Sequence, residues 1–191
     1  MRIGLLGGTF DPVHNGHLFV AAAAQKQFSL DKVLFIPAWV SPHKQSQSPS
    51  ASASDRCEML KRAIAGHKNF ELCTAEIERG GVSYTAATLR QLRSRYAHDA
   101  FFLILGDDAY RTFDAWQDPL FIKQNTTLIV APRHPGGAIF LESPGVLALK
   151  MPLAAESATE IRKGRAGAVK DLPAAVVDYI RQKKLYVNQG A

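Results

Sequence analysis

Short, continuous apolar runs alternate with helical patterns along most of this chain. Arg2 to Leu6 is an apolar run closed by Gly7-Gly8, the signature of a buried strand ending in a tight turn. Leu18 to Phe28, rich in alanine and free of Gly and Pro, reads as a helix. Val33-Leu34-Phe35-Ile36, closed by Pro37, is a second buried strand. Asp55 to Ala65 is a second helix, with Met59, Leu60 and Ile64 on one side. Phe70 to Ile77 alternates as a strand does, and Tyr84 to Tyr96 spaces Thr85, Thr88, Leu89 and Leu92 for one helical face. Phe101 to Leu105 ends at Gly106, and Thr127 to Ala131 and Val146 to Leu149 are further strands. After Pro173, Ala174 to Lys184 is an amphipathic helix.

Strands that are apolar throughout, rather than on alternate positions, must be covered on both faces. Alternating with helices, they predict an α/β protein with a Rossmann-like, doubly wound parallel sheet. A single domain over residues 1–191 is expected, with no internal repeat. Gln45 to Ser54, all Gln, Ser, Ala and Pro, reads as a flexible loop. Residues 157–186 form a C-terminal helical part. In sheets of this kind ligands bind outside the carboxyl ends of the strands, so the segments just after strands carry the chemistry.

Composition narrows the setting. Hydrophobic residues make up 47% and charged residues 21%, the balance of a soluble globular protein. No apolar run approaches the roughly 20 residues of a membrane span. The two cysteines, Cys57 and Cys73, are too few for a disulfide framework or a zinc site, which points to the reducing cytoplasm. Twenty-three Lys and Arg against seventeen Asp and Glu give a net charge of +6. That suits an anionic partner, whether nucleic acid, an anionic membrane or a phosphorylated small molecule. A non-enzymatic nucleic-acid-binding module would want interleaved aromatic and basic residues, and no such motif is found.

The segment from Gly7 to His17, Gly-Gly-Thr-Phe-Asp-Pro-Val-His-Asn-Gly-His, lies between the first strand and the first helix. Its glycines permit a sharp turn and close approach to a ligand. A helix beginning near Gly16 presents unpaired N–H groups and the positive end of its dipole, a seat for an anion. His14 and His17 face that seat, with ordinary pKa values of about 6.5 that a nearby phosphate would raise. Two surface histidines on a capped helix are the plain alternative. No Cys or carboxylate cluster accompanies the pair, so no metal site is expected.

This segment resembles the His-x-Gly-His nucleotidyltransferase superfamily, whose members transfer a nucleotidyl group from ATP or CTP. Its glycines differ from the Gly-x-Gly-x-x-Gly of dinucleotide-binding dehydrogenases and from the Gly-Lys-Ser/Thr loop of P-loop ATPases. Within the superfamily it is most similar to the nicotinate-mononucleotide adenylyltransferases of NAD biosynthesis. Five more segments agree with that family in order: Ile36 to Lys44, ending Pro-His-Lys; Glu76 to Thr85, with Ser-Tyr-Thr; Gly106-Asp107-Asp108 with Phe113 and Trp116; Glu156 to Arg162; and Leu172 to Tyr186. A sister enzyme, pantetheine-phosphate adenylyltransferase, fits less well, because His14 stands where that family usually has Thr.

The resemblance implies ATP as a substrate with Mg²⁺, nicotinate mononucleotide as acceptor, and small molecules as the partners, with neither nucleic acid nor membrane. Homo-oligomerisation is left open. It implies that His14 and His17 hold the α-phosphate region and that Lys44 and Arg162 hold the β and γ phosphates. Gly7, Gly8, Thr9, Phe10, Gly16, Ser157, Thr159 and Ile161 would complete the ATP side, Thr159 at the leaving group. Thr85, Gly106, Asp108 and Trp116 would take the nicotinate and its ribose. Read locally, other roles stay open: Lys44 as a solvated lysine, Ser157 to Arg162 as a plain helix cap, Asp108 as an N-cap and Trp116 as core.

Overall fold

A computed structural model describes residues 1–42, 49–133, 144–152, 158–162 and 168–186. Six parallel strands build one sheet: β1 Arg2–Gly8, β2 Lys32–Pro37, β3 Phe70–Leu72, β4 Ala100–Gly106, β5 Thr127–Ala131 and β6 Val146–Ala148. Their order is β3-β2-β1-β4-β5-β6, so the winding reverses between β1 and β4. There the loops leave the sheet in opposite directions and open a crevice. The expected doubly wound α/β architecture is the one observed.

The apolar runs are explained by the pleat, which sends successive residues to opposite faces. On one face Leu6, Val33, Phe35, Phe102, Ile104 and Ile129 form a core with Ala21 and Ala24 of α1 (Asn15–Gln27). Met59, Leu60 and Ile64 of α2 (Ala53–Ile64) join it, as do Val176 and Tyr179 of α8 (Ala174–Lys183). On the other face Ile3, Leu5, Leu34, Ile36, Phe101, Leu103, Leu105, Leu128 and Val130 meet Ala86, Leu89 and Leu92 of α4 (Thr85–Arg95). Ile122 of α6 (Pro119–Asn125) is buried among them. Each fully buried side chain of this size contributes roughly 1.5–3 kcal/mol, enough to dominate the choice of face.

Three expectations need correction. Phe70 to Ile77 is not one strand: β3 stops at Leu72 and α3 spans Ala75–Arg79. At an edge with a single neighbour, the helix formers Ala75, Glu76 and Glu78 prevail, and Glu76 is buried accepting a hydrogen bond from Thr88 Oγ1 at 2.6 Å. The loop expected over 45–54 ends earlier, because Ser52 caps α2 by accepting from the Asp55 N–H, while residues 45–48 lie outside the described ones. Finally, α5 (Asp107–Arg111) and α6 were not foreseen, being shorter than the two turns that reveal a period. The C-terminal part holds α7 (Ala158–Arg162), a 3₁₀ turn over Ala168–Asp171, and α8.

Candidate active site

The first half of the site grows out of β1. The Gly8 carbonyl accepts from the Ala38 N–H at 2.9 Å, continuing the β1–β2 ladder past the strand ends. A Cβ on Gly8 would press to 3.1 Å on the ring of Phe10, which is buried and held at φ 50° in the left-handed region. Gly7 is exposed with open space around it, so the demand for glycine falls on Gly8. Phe10 sets its edge against His17, with ring centroids 4.9 Å apart.

His14 caps α1 in extended conformation, and Gly16 and His17 lie in the first turn. The His14 N–H donates to His17 Nδ1 at 3.2 Å, half of a capping box built from imidazole. Because Nδ1 accepts, the hydrogen of the neutral His17 ring sits on Nε2, which is thereby a donor. The two rings lie against each other at a tilt of 35°, with centroids 3.7 Å apart. His14 is only 3% exposed and His17 partly so, which removes the surface-histidine alternative. The expected ordinary pKa values are not found either. Burial, reinforced by the positive charge of Arg133, lowers His14 to about 4. His17 is driven well below its usual range by burial, then by His14 and Arg133. The pair is neutral at physiological pH in the absence of an anion.

Arg162 of α7 reaches this loop: Nη1 donates to the Asp11 carbonyl at 2.7 Å and Nη2 to Thr159 Oγ1 at 3.3 Å. Thr159 is exposed, and Ile161 packs against the core beneath. Arg162 and Thr159 are therefore brought to the histidine loop. Lys44, with His43, and Ser157 lie outside the described residues.

The second half grows out of β4 and β5. A Cβ on Gly106 would collide with the Asp108 carboxylate and with Arg133 Cδ at 2.8 Å, so glycine lets both side chains lie across the strand end. Arg133 Nη1 donates to Asp108 Oδ2 at 3.0 Å, and the Arg133 N–H donates to Asp107 Oδ1 at 3.2 Å. Burial tends to raise the Asp108 carboxyl, but Arg133 and the Ala109 N–H outweigh it and hold the group below its usual range. Asp108 is half exposed and sits inside α5 rather than at its N-cap, which is Gly106. Trp116 is partly buried against Phe113, centroids 5.2 Å apart.

Thr85 comes to the same edge of the sheet by a different route. The Ser83 N–H donates to the Val40 carbonyl at 2.9 Å and the Trp39 N–H to Ser83 Oγ at 2.9 Å, zipping the approach to α4 onto the loop after β2. Gly80 and Gly81, at φ 67° and 70°, make the turn that permits it. Thr85 opens α4, where Tyr84 supplies no side-chain cap and no acidic residue lies in the first turn.

The pattern of the Cytidylyltransferase-like family matches residues 5–164. A chain of Dictyoglomus thermophilum described as a probable nicotinate-nucleotide adenylyltransferase is 38% identical over 98% of this chain and 100% of its own length. One from a Synechococcus strain, described in the same words, is 40% identical over 98% of each. The chain belongs to this nucleotidyltransferase family. Among solved structures, a nicotinic acid mononucleotide adenylyltransferase of Plasmodium falciparum in complex with NaAD superposes with a TM-score of 0.79 over 97% of both chains, at 17% identity. The same enzyme in complex with APC gives 0.79 at 18% identity. At such identities the likeness is one of fold.

Membership in the family does not by itself reveal the struts of this site. Arg133 escaped sequence reasoning because it follows β5 in a Pro-Arg-His context that reads as a loop. Asp11 and Tyr186 sit inside matched segments but were assigned no task. Arg56 is 1% exposed and donates from Nη1 to the carbonyls of Thr9 at 2.8 Å and Ala38 at 2.7 Å. The only available signal was an arginine on the apolar side of an amphipathic helix.

Proposed function

We propose that the chain transfers the adenylyl group of ATP to nicotinate mononucleotide, giving nicotinate adenine dinucleotide (deamido-NAD) and pyrophosphate, a step of NAD biosynthesis. A phosphate oxygen of the mononucleotide attacks the α-phosphorus of ATP, and the bond from that phosphorus to the bridging oxygen of pyrophosphate breaks. No side chain has to become covalently attached. Catalysis is then positioning and stabilisation of phosphoryl charge.

The observation that carries this reading is the close, neutral His14–His17 pair at the N-terminus of α1, with Arg162 bonded to the same loop and the charge of Arg133 felt by both rings. His17 Nε2–H and the first N–H groups of α1 are donors oriented before the charge develops, the most effective kind of transition-state stabilisation. Gly7, Gly8, Thr9, Phe10 and Gly16 shape the backbone around the α-phosphate. Lys44, Arg162, Ser157, Thr159 and Ile161 serve the β and γ phosphates and the leaving pyrophosphate. Asp108 accepts from ribose hydroxyls beside Gly106, Trp116 takes the pyridine ring, and the N-terminus of α4 at Thr85 takes its carboxylate. Arg133 neutralises phosphate between the two halves.

Mg²⁺ enters as part of the nucleotide. Among the described residues no three His, Cys, Asp or Glu side chains group closely enough to cage an ion, whereas a polyphosphate supplies hard oxygen ligands of its own. Residues 1–191 act as one nucleotidyltransferase domain on small-molecule substrates in the cytoplasm. No helix among the described residues is long and apolar enough to cross a membrane.

The test is a turnover assay with ATP, Mg²⁺ and each of two acceptors, nicotinate mononucleotide and pantetheine phosphate. Nicotinate mononucleotide should give dinucleotide and one pyrophosphate per turnover. Turnover of pantetheine phosphate instead would move the chain to the sister activity, and no turnover of either would leave the reading without support.

A further inference from the structure

One carboxylate beneath the phosphate loop takes no part in the transfer chemistry, yet is only 4% exposed. Asp11 Oδ1 accepts from Tyr186 Oη at 2.7 Å and from the Ala51 N–H at 3.0 Å, and Oδ2 accepts from the Ser50 N–H at 2.7 Å. Its backbone carbonyl accepts the Arg162 bond. Residue 11 thus joins four segments: the loop after β1, the residues preceding α2, α7, and the turn after α8. The buried Arg56 cation lies within electrostatic reach, tying down the neighbouring Thr9 carbonyl.

Burial of a carboxylate is costly unless it is well bonded, and here three donors meet its oxygens, Tyr186 being the only side chain among them. The turn that delivers Tyr186 is also unfavourable by itself. Lys184 and Tyr186 both adopt left-handed backbone, at φ 52° and 63°, a conformation that a bulky residue keeps only when its surroundings impose it. What imposes it here is the bond to Asp11 together with partial burial of the ring against the core. Burial and the Asp11 charge both raise the phenol above its ordinary range, so Tyr186 remains a donor through neutral and alkaline pH.

We propose that Asp11 and Tyr186 are positioning residues for ATP: the hydroxyl–carboxylate clasp fixes residue 11 so that its carbonyl holds Arg162 at the phosphate loop. The C-terminal turn is in this way part of the nucleotide site without touching the nucleotide. Asp11 is well suited to the task because its side chain and its carbonyl serve different segments, so a pull on one is felt by the other through a single residue. The inference rests on the adenylyl-transfer reading for the identity of the nucleotide.

Tyr186→Phe removes one hydroxyl and leaves the ring. Its KM for ATP, and the Kd for ATP titrated without acceptor, should rise about tenfold, as for loss of a bond that orders a charged ligand contact. KM for nicotinate mononucleotide should change less than twofold. In an Arg162→Ala background the same substitution should change ATP affinity less than twofold, because the group it positions is gone. Should Arg162→Ala fail to fold, Arg162→Lys supplies the background, and the effect of Tyr186→Phe should fall below threefold there. A staple that only holds the fold together would lower Tm with ATP affinity unchanged, or would show the full effect in both backgrounds. Either result overturns the proposal. Failure of wild-type protein to make dinucleotide would instead overturn the functional reading, and that is seen before any variant is made.

Discussion

The two halves of the site are built on different scales. Around β1, the glycine turn, Phe10, the histidine pair and the start of the helix that carries them lie within eleven consecutive residues, and their key bond spans three positions. Around β4 and β5, Asp108 finds Arg133 twenty-five residues away, and Thr85 reaches the same edge only because Ser83 is zipped to the loop after β2. The first half is built around buried His14 and Phe10, with imidazoles that resist protonation. The second is half exposed, its carboxylate and guanidinium paired with each other. Rigid donors suit a charge that appears only in the transition state, whereas exchangeable partners suit a substrate that must enter and leave.

The largest effect that would break this comparison is at His17. His17→Ala should lower kcat by two to four orders of magnitude, on the order of 3–5 kcal/mol. The ring also accepts the His14 N–H and meets Phe10, so folding will not be untouched. A loss of about 0.5–1 kcal/mol is expected from the missing cap, read as a small fall in Tm. Activity within a few-fold of wild type would show the first half to be structural only.

That contrast also explains what could be read before the structure. The strands were legible because burial on both faces keeps their buried positions apolar, and the histidine loop because all its parts are local. Phe70 to Ile77 misled because a strand end and a helix start follow one another with alternating apolar residues in both. Arg133 and the Asp11–Tyr186 clasp were invisible for a different reason: their partners are 25 and 175 positions distant, and no period or spacing announces such pairs. The lowered histidine pKa values had the same cause, since burial and the Arg133 charge come only with the fold.

A second, smaller effect sharpens the contrast through pH. The folded-state pKa of His14, about 4, lies below the ordinary value of 6.5. Below pH 6.5 the unfolded chain therefore binds a proton that the folded chain refuses, and stability falls until the pH reaches about 4. By pH 5 the loss from this one group should be about 2 kcal/mol, fully recovered above about pH 7. Denaturant unfolding at a series of pH values measures it. His14→Gln should flatten much of that slope, leaving the part due to His17. An unchanged slope would mean that the first half is wetter than its geometry says.

The smallest mutational effect concerns the second half, to which the proposed function assigns the choice between nicotinate and nicotinamide. The two rings differ by a carboxylate against a neutral amide, so discrimination needs donors that only an anion satisfies fully. On the proposed reading the N-terminus of α4 supplies them: eleven helical residues, no side-chain cap from Tyr84, no acidic residue in the first turn, and the Thr85 hydroxyl beside it. No cation is required, and the preference should come from oriented donors, which reject a mismatched group because they are left unpaired. We expect kcat/KM for nicotinate mononucleotide to exceed that for nicotinamide mononucleotide by about a hundredfold, some 2.7 kcal/mol. Thr85→Val keeps the shape and the backbone N–H groups while deleting one hydroxyl, so it should narrow that ratio by about tenfold, or about 1.4 kcal/mol, with ATP kinetics unchanged. Because α4 packs its Ala86, Leu89 and Leu92 face into the core independently of the hydroxyl, the variant should fold as the wild type does. If the ratio is unaltered, the helix N–H groups alone make the choice; if the two acceptors are turned over equally by the wild type, Thr85 has no part in selectivity and the second half is a site for either ring.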